Sequence, residues 1–187
     1  MSRIFLDIIP ECYIDTYLVA YLLRADRVNH QHSCNNVINA MKANKFSVGI
    51  VDYDKAKRDA YNHHWTLLAK GTEKKLRILF LKHHTEPHYL IAIDPAMEAF
   101  VLKCAEELNL NLSYYGLPAN LDEFCHLTKS GKLTPKDIRF KRLFNDIRTH
   151  PSIETLQKVL QYLNDCRYQS SDNIIKKLIA EGLALNV

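Results

Sequence analysis

Asp52 and Asp54 stand one residue apart, directly after the apolar run Phe46-Ser47-Val48-Gly49-Ile50-Val51. A run this rich in β-branched residues predicts a buried central strand. In open α/β sheets, ligands gather outside the carboxyl ends of the strands. Two carboxylates leaving a strand there could take a hard divalent cation such as Mg²⁺, which prefers oxygen and uses one or two carboxylates. Glu11 and Asp15 follow the first apolar run, and Asp94 and Glu98 follow the last strand-like run. Both pairs have i, i+4 spacing, which turns their members to one side if the local backbone is helical. Acids gathered at one sheet edge repel one another unless cations sit among them. The chemistry this predicts is one or two divalent metals acting on a phosphodiester. Plainer roles compete: Asp15 as first-turn charge, Asp94 as a helix cap before Pro95, Glu98 as a solvated helix residue.

These acids need a parallel sheet to bring them together. Arg3 to Ile9 reads as a first buried strand, closed by Pro10, which cannot donate to a ladder. Ile14 to Leu23 reads as a short apolar helix. Val28 to Cys34 is a weak, polar strand, and Asn35 or Asn36 can cap a second helix to about Asn44. After the Asp-x-Asp strand, Lys55 to Ala69 alternates in a helical way, with Gly71 as a stop. Leu76 to Leu81 and Tyr89 to Ile93 are two more strands. Pro95 fits the first turn of a helix from Ala96 to about Leu108. This alternation predicts an α/β fold, a mostly parallel sheet with helices on both faces, over residues 1–112.

From Leu117 the strand signals stop. Asn120 with Glu123 forms a capping box, and Thr134-Pro135-Lys136-Asp137 reads as a helix start. Further helices are expected after Ser152 and after Asp172. Residues 113–187 are thus expected as a helical C-terminal appendage packed on the sheet. Phe140, Leu143, Phe144 and Ile147 have core-stripe spacing.

The 187 residues are 47% hydrophobic and 25% charged, ordinary for a globular protein. No run of 18 apolar residues exists, so no membrane span is expected. The N-terminus meets a charge after Ile4-Phe5-Leu6, unlike a signal peptide. Five scattered cysteines without a Cys-x-x-Cys pair suggest reduced thiols and a cytoplasmic chain. With only five glycines there is no G-x-G-x-x-G and no P-loop, which argues against dinucleotide binding and ATP hydrolysis.

Glu11-Cys12-Tyr13-Ile14-Asp15, then Asp52-Tyr53-Asp54, then Asp94-Pro95-Ala96-Met97-Glu98, resemble in order and spacing the motifs of a Toprim domain of the OLD-type nucleases. The resemblance covers about the first 110 residues. The family's first motif usually has glycine where Cys12 stands. The resemblance implies Mg²⁺ or Mn²⁺ held by Asp52 and Asp54 with Glu11, and catalytic roles for Glu11, Asp15, Asp94 and Glu98. It also implies an effector of a bacterial anti-phage or toxin-like system, working with a partner protein such as an ATPase or sensor subunit. Two alternatives stand beside it. One is a catalytically degenerate Toprim-like subunit that docks to a protein or nucleic acid, which Cys12 favours. The other is a haloacid-dehalogenase-like phosphatase. That family places its Asp-x-Asp on the first strand, with Thr or Val where this chain has Ala56.

Lys129 to Arg148 carries seven basic residues against two acids, a local +5 beside the whole chain's +4. Lys136, Arg139, Lys141 and Arg142 are the residues expected to hold a nucleic-acid backbone. His30/His32, His63/His64 and His83/His84/His88 lack zinc-helix spacing. His83, His84 and His88 are expected at the acidic sheet edge, within reach of a substrate.

Overall fold

The computed structural model describes residues 3–53, 64–73, 76–129 and 137–183. The expected first strand is two short ones, β1 (Ile4–Phe5) and β2 (Ile8–Pro10), separated by a turn at Leu6-Asp7. Helix α1 (Tyr13–Leu23) follows, then β3 (Arg27–Val28), which pairs parallel with β1. Helix α2 (Cys34–Lys42) is capped by Ser33, whose hydroxyl accepts the Asn36 N–H, so neither Asn35 nor Asn36 is the cap. Strand β4 (Ser47–Asp52) lies between β2 and β7 (His88–Asp94), parallel to both. The three chains therefore end at the same edge: Pro10 pairs with Ile50, and Asp52 with Ile93.

The other half of the sheet departs from the expected helix over Lys55 to Ala69. Trp65–Glu73 is a strand, β5, paired antiparallel to β6 (Leu76–His83), which runs antiparallel to β7. The five-stranded sheet has the order β2-β4-β7-β6-β5 and is mixed: parallel over three strands, antiparallel over the rest. Pairing with a neighbouring strand outweighs a local helical alternation, because strand preference is mostly a matter of cross-strand packing.

Side-chain alternation divides the core. Ile8, Val48, Ile50, Ile91 and Ile93 face one side, with α1 and most of the helices. Ile9, Val51, Leu90 and Ala92 face the other, with Val37 and Met41 of α2. Helix α3 (Met97–Glu107) follows β7. Ala96 is its N-cap, so Pro95 precedes the helix and Asp94 does not cap it. A 3₁₀ turn (Leu112–Tyr115) leads to α4 (Leu121–Lys129), where Asn120 accepts the Asp122 and Glu123 N–H groups.

Helix α5 (Ile138–Ile147) is capped by Asp137 itself; Thr134, Pro135 and Lys136 lie outside the described residues. Its stripe Phe140, Leu143, Phe144 and Ile147 is buried as expected. Helix α6 (Pro151–Cys166) and helix α7 (Asp172–Leu183) complete the fold. The buried residues of α5, α6 and α7 share one continuous core with those of the sheet. No described helix is long and apolar enough to cross a membrane.

Candidate acidic centre

Three loops leave the parallel half of the sheet at its carboxyl edge, and Glu11 ties two of them, after β2 and β4, to the start of α2. Its Oε1 accepts the Cys34 N–H at 2.9 Å and its Oε2 accepts the Asp52 N–H at 3.1 Å. Glu11 itself continues the β2 ladder by donating its N–H to the Ile50 carbonyl at 2.9 Å. Both of its oxygens are thereby engaged with backbone, and the side chain acts as a brace between the ends of β2 and β4 and the start of α2.

Asp15 sits in the first turn of α1 with none of its surface exposed. Its Oδ2 accepts the Cys12 N–H at 3.2 Å, while its Oδ1 is buried without a hydrogen-bond partner. Burial, and then the nearby charge of Asp52, push its carboxyl well above the usual range. Asp52 ends β4, and its Oδ1 accepts the Met97 N–H at 3.0 Å, at the N-terminus of α3. Burial pushes the Asp52 carboxyl up to about 7. The Met97 amide and the Lys129 ammonium hold it down, and Glu98 and Glu11 add to the rise. Glu98 is 1% exposed, and its Oε1 accepts the Thr128 hydroxyl of α4 at 2.8 Å. Buried Asp15 and Glu98 and half-buried Asp52 thus form an acidic centre drawn from three elements, with Lys129 as its neighbouring positive charge.

Cys12 is the N-cap of α1 with φ −124° and ψ 176°, extended backbone that any residue adopts. No positive φ demands glycine there. Burial, and then the charge of Asp15, raise its thiol above the ordinary range, which opposes thiolate formation. Asp94 ends β7 half-buried, and Asp54 lies outside the described residues. Sequence reasoning missed Thr128 and the Met97 amide. Thr128 is 30 residues from Glu98, and no local signal joins the two.

The histidines His83 and His88 are elsewhere. Because β6 runs antiparallel, its end and the start of β7 fall at the opposite edge, where His88 pairs in register with Ser47. Its Nδ1 lies 2.9 Å from the Ser47 hydroxyl. Ser47 and Asp52 are separated by the length of β4, about 16 Å. The expectation that His83, His84 and His88 reach the acidic edge is therefore overturned by strand direction.

The basic run is divided as well. Arg139 is held by Asp137, with Nε to Oδ1 at 3.1 Å and Nη2 to Oδ2 at 2.8 Å. Arg142 lies over the Tyr115 ring, 5.8 Å from its centroid. Lys141 is exposed, and Lys136 is outside the described residues.

A hard cation suits the donor set of the acidic centre: all its ligand atoms would be carboxylate oxygens, and Asp15 Oδ1 is an orphaned one. Among the described residues, no group of three or more His, Cys, Asp or Glu side chains is arranged to hold a metal ion. Magnesium needs only one or two carboxylates, with water completing its shell. No family model, no curated protein and no solved structure matches this chain.

Proposed function

We propose that this chain is a Toprim-like, divalent-cation-dependent phosphodiester-cleaving protein acting on nucleic acid, with the acidic centre as its site. One observation carries the reading. Asp15, Asp52 and Glu98 converge at one strand edge, and Asp15 Oδ1 is buried there with nothing to bond. Like charges this close, in a low-dielectric setting, must share protons or a cation.

Asp15 and Asp52 are the residues that would hold Mg²⁺ or Mn²⁺, with Asp54 two residues further along the chain and Asp94 at the end of the neighbouring strand β7. Such an ion supplies Lewis-acid polarisation of a phosphoryl oxygen. The chain's own residues do the positioning. Glu11 fixes where β4 releases Asp52, Thr128 orients Glu98, and Lys129 offsets part of the negative charge. A partner protein and an effector role in bacterial defence belong to the same proposal, on the strength of the motif resemblance alone.

The test is calorimetric titration of Mn²⁺ into wild type and Asp52→Asn. Binding to wild type that the variant loses supports the reading, and cleavage assays on DNA and RNA follow. No binding to wild type at millimolar metal overturns it. A second reading, the degenerate docking subunit, is favoured by the closure of the site: Asp15 and Glu98 are buried and already bonded to Cys12 and Thr128. A chain that binds nucleic acid with no metal and no cleavage would be that subunit. The phosphatase reading needs Asp52 as an open nucleophile, and its Oδ1 is instead bonded to the Met97 amide.

A further inference from the structure

Helix α1 carries tyrosines at 13, 17 and 21, an i, i+4, i+8 stripe about 6 Å apart along the axis. All three are half-buried and none belongs to the fully buried core. The rings form a ladder that begins beside the acidic edge. His30 stacks on Tyr13 with centroids 4.6 Å apart, His32 meets His30 edge-on at 4.7 Å, and Tyr13 approaches Tyr17 at 6.3 Å.

The ladder opens into a cavity of about 500 Å³ between α1, β3 and α5, walled by Tyr17 and Tyr21 and floored by Phe144. Three cations line the cavity: Arg24, Arg27 and Lys141. All three are exposed, and no ion pair joins them to another described residue. Two acids also line it: Asp26 keeps its charge while accepting the Arg3 backbone N–H at 2.7 Å, and the charge of Asp137 is paired with Arg139, which leaves the cations in excess. The cavity is therefore positively charged as well as aromatic.

At the head of the ladder, outside the residues that line the cavity, a polar atom is left without a partner. Thr16 donates its hydroxyl to the Cys12 carbonyl at 2.7 Å and lies 2.7 Å from His30 Nδ1. With its proton committed, Thr16 can only accept, so Nδ1 carries the imidazole proton. His30 Nε2 is left as a bare acceptor, buried and without a partner. Besides Asp15 Oδ1, it is the one buried side-chain polar atom of the described residues left unpaired.

Aromatic faces beside unpaired cations are the chemistry of single-stranded nucleic-acid binding: bases stack on rings while phosphates meet Arg and Lys. A duplex keeps its base faces inside and cannot present them to recessed tyrosines. Asp15, Thr16 and Tyr17 are consecutive, so one turn of α1 joins the acidic centre to the cavity wall.

We propose that the tyrosine ladder of α1, with the cavity bounded by Arg24, Arg27 and Lys141, binds single-stranded nucleic acid and leads it to the acidic edge. The inference rests on the proposed function for what happens at that edge, and its test separates the two. Binding is measured in EDTA, by fluorescence anisotropy of fluorescein-labelled oligothymidylate, oligouridylate and a duplex of equal length, with the full chain. One or both single strands should bind, and the duplex more weakly. Tyr17→Leu should weaken binding about five-fold or more, the lower limit of one base–aromatic stack. Arg27→Gln/Lys141→Gln should reduce the slope of log affinity against log salt by about 1.4, at about 0.7 per phosphate contact. Lys158→Gln, on the exposed side of α6, should change neither.

Equal or tighter duplex binding overturns the inference, as does a double variant that binds with the wild-type salt slope. Arg27 and Lys141 are exposed, so the double variant carries the test even if Tyr17→Leu fails to fold. Metal binding without strand binding would sink this inference and leave the metal site standing. Strand binding without metal binding would do the reverse.

Discussion

Asp52 Oδ1 accepts the Met97 N–H at 3.0 Å, so the last residue of the central strand is tied to the first turn of the helix that carries Glu98. The bond places a carboxylate at the positive end of α3, where the helix dipole favours its charge. It also brings Asp52 into the neighbourhood of Glu98, which opposes that charge. The net effect is a carboxyl raised above its ordinary range, because burial is the largest influence.

A pH dependence of stability follows. The Asp52 carboxyl titrates at about 7 in the fold. In the unfolded chain it titrates at about 3.9. The folded chain thus holds this proton more tightly than the unfolded one. The stability linked to it is full below about pH 4 and is lost as the pH rises through about 7. Asp15, shifted in the same direction, adds to the trend. Thermal melts should show wild-type Tm falling over this range. Asp52→Asn, which keeps an acceptor for Met97, should flatten the fall, and a variant that falls as steeply as wild type would refute the assignment.

Lys129 should be visible from Asp52. Its ammonium lowers the Asp52 carboxyl's pKa, so Lys129→Gln should move the Asp52 titration upward. Carboxyl carbon NMR of the two proteins would read the shift directly; an unchanged or lowered midpoint would show that the charge is not felt there.

Removing Glu11 should damage the fold before it touches any chemistry. Glu11→Ala strips acceptors from the Cys34 and Asp52 amides together. Leaving such amides unpaired costs about 1–3 kcal/mol. Glu11→Gln retains one carbonyl oxygen and should lose less. Urea unfolding of the pair measures the difference, and two equally stable variants would deny Glu11 its bracing role.

Gly49 is required by packing rather than by backbone conformation. A Cβ there would lie 2.6 Å from Met41 Sδ, 2.8 Å from Leu90 Cδ1 and 2.9 Å from Val37 Cγ1. Glycine is what lets α2 lie close on β4. Gly49→Ala should destabilise by about 1–3 kcal/mol, the usual effect of overpacking. A wild-type midpoint in urea would show that α2 can move away freely.

Much of the parallel half was legible in the chain itself. The run ending at Asp52 is buried as a central strand, and β2, α1, α2, β7 and α3 fall close to their expected places because their apolar periodicities are strong. Acids after β2 and β4 were bound to share an edge once those strands ran parallel. Residues 65–69 were misread because Trp65 and its neighbours gain their strand from pairing with β6, which no local pattern announces. The antiparallel pairing of β6 with β7 put His83 and His88 at the far edge.

The sequence by itself determined which carboxylates could meet, since strand ends and i, i+4 spacing are local properties. The tertiary structure alone decided what each became. Glu11 turned into a brace because two backbone amides face it. Asp15 kept an unbonded oxygen because its side chain is wholly buried and the Cys12 amide bonds only the other oxygen. Arg139 was tied to Asp137, while Arg24, Arg27 and Lys141, from three different elements, met across one aromatic cavity. Hydrogen-bond partners and desolvation are set by residues distant in the chain, and only folding brings them into contact.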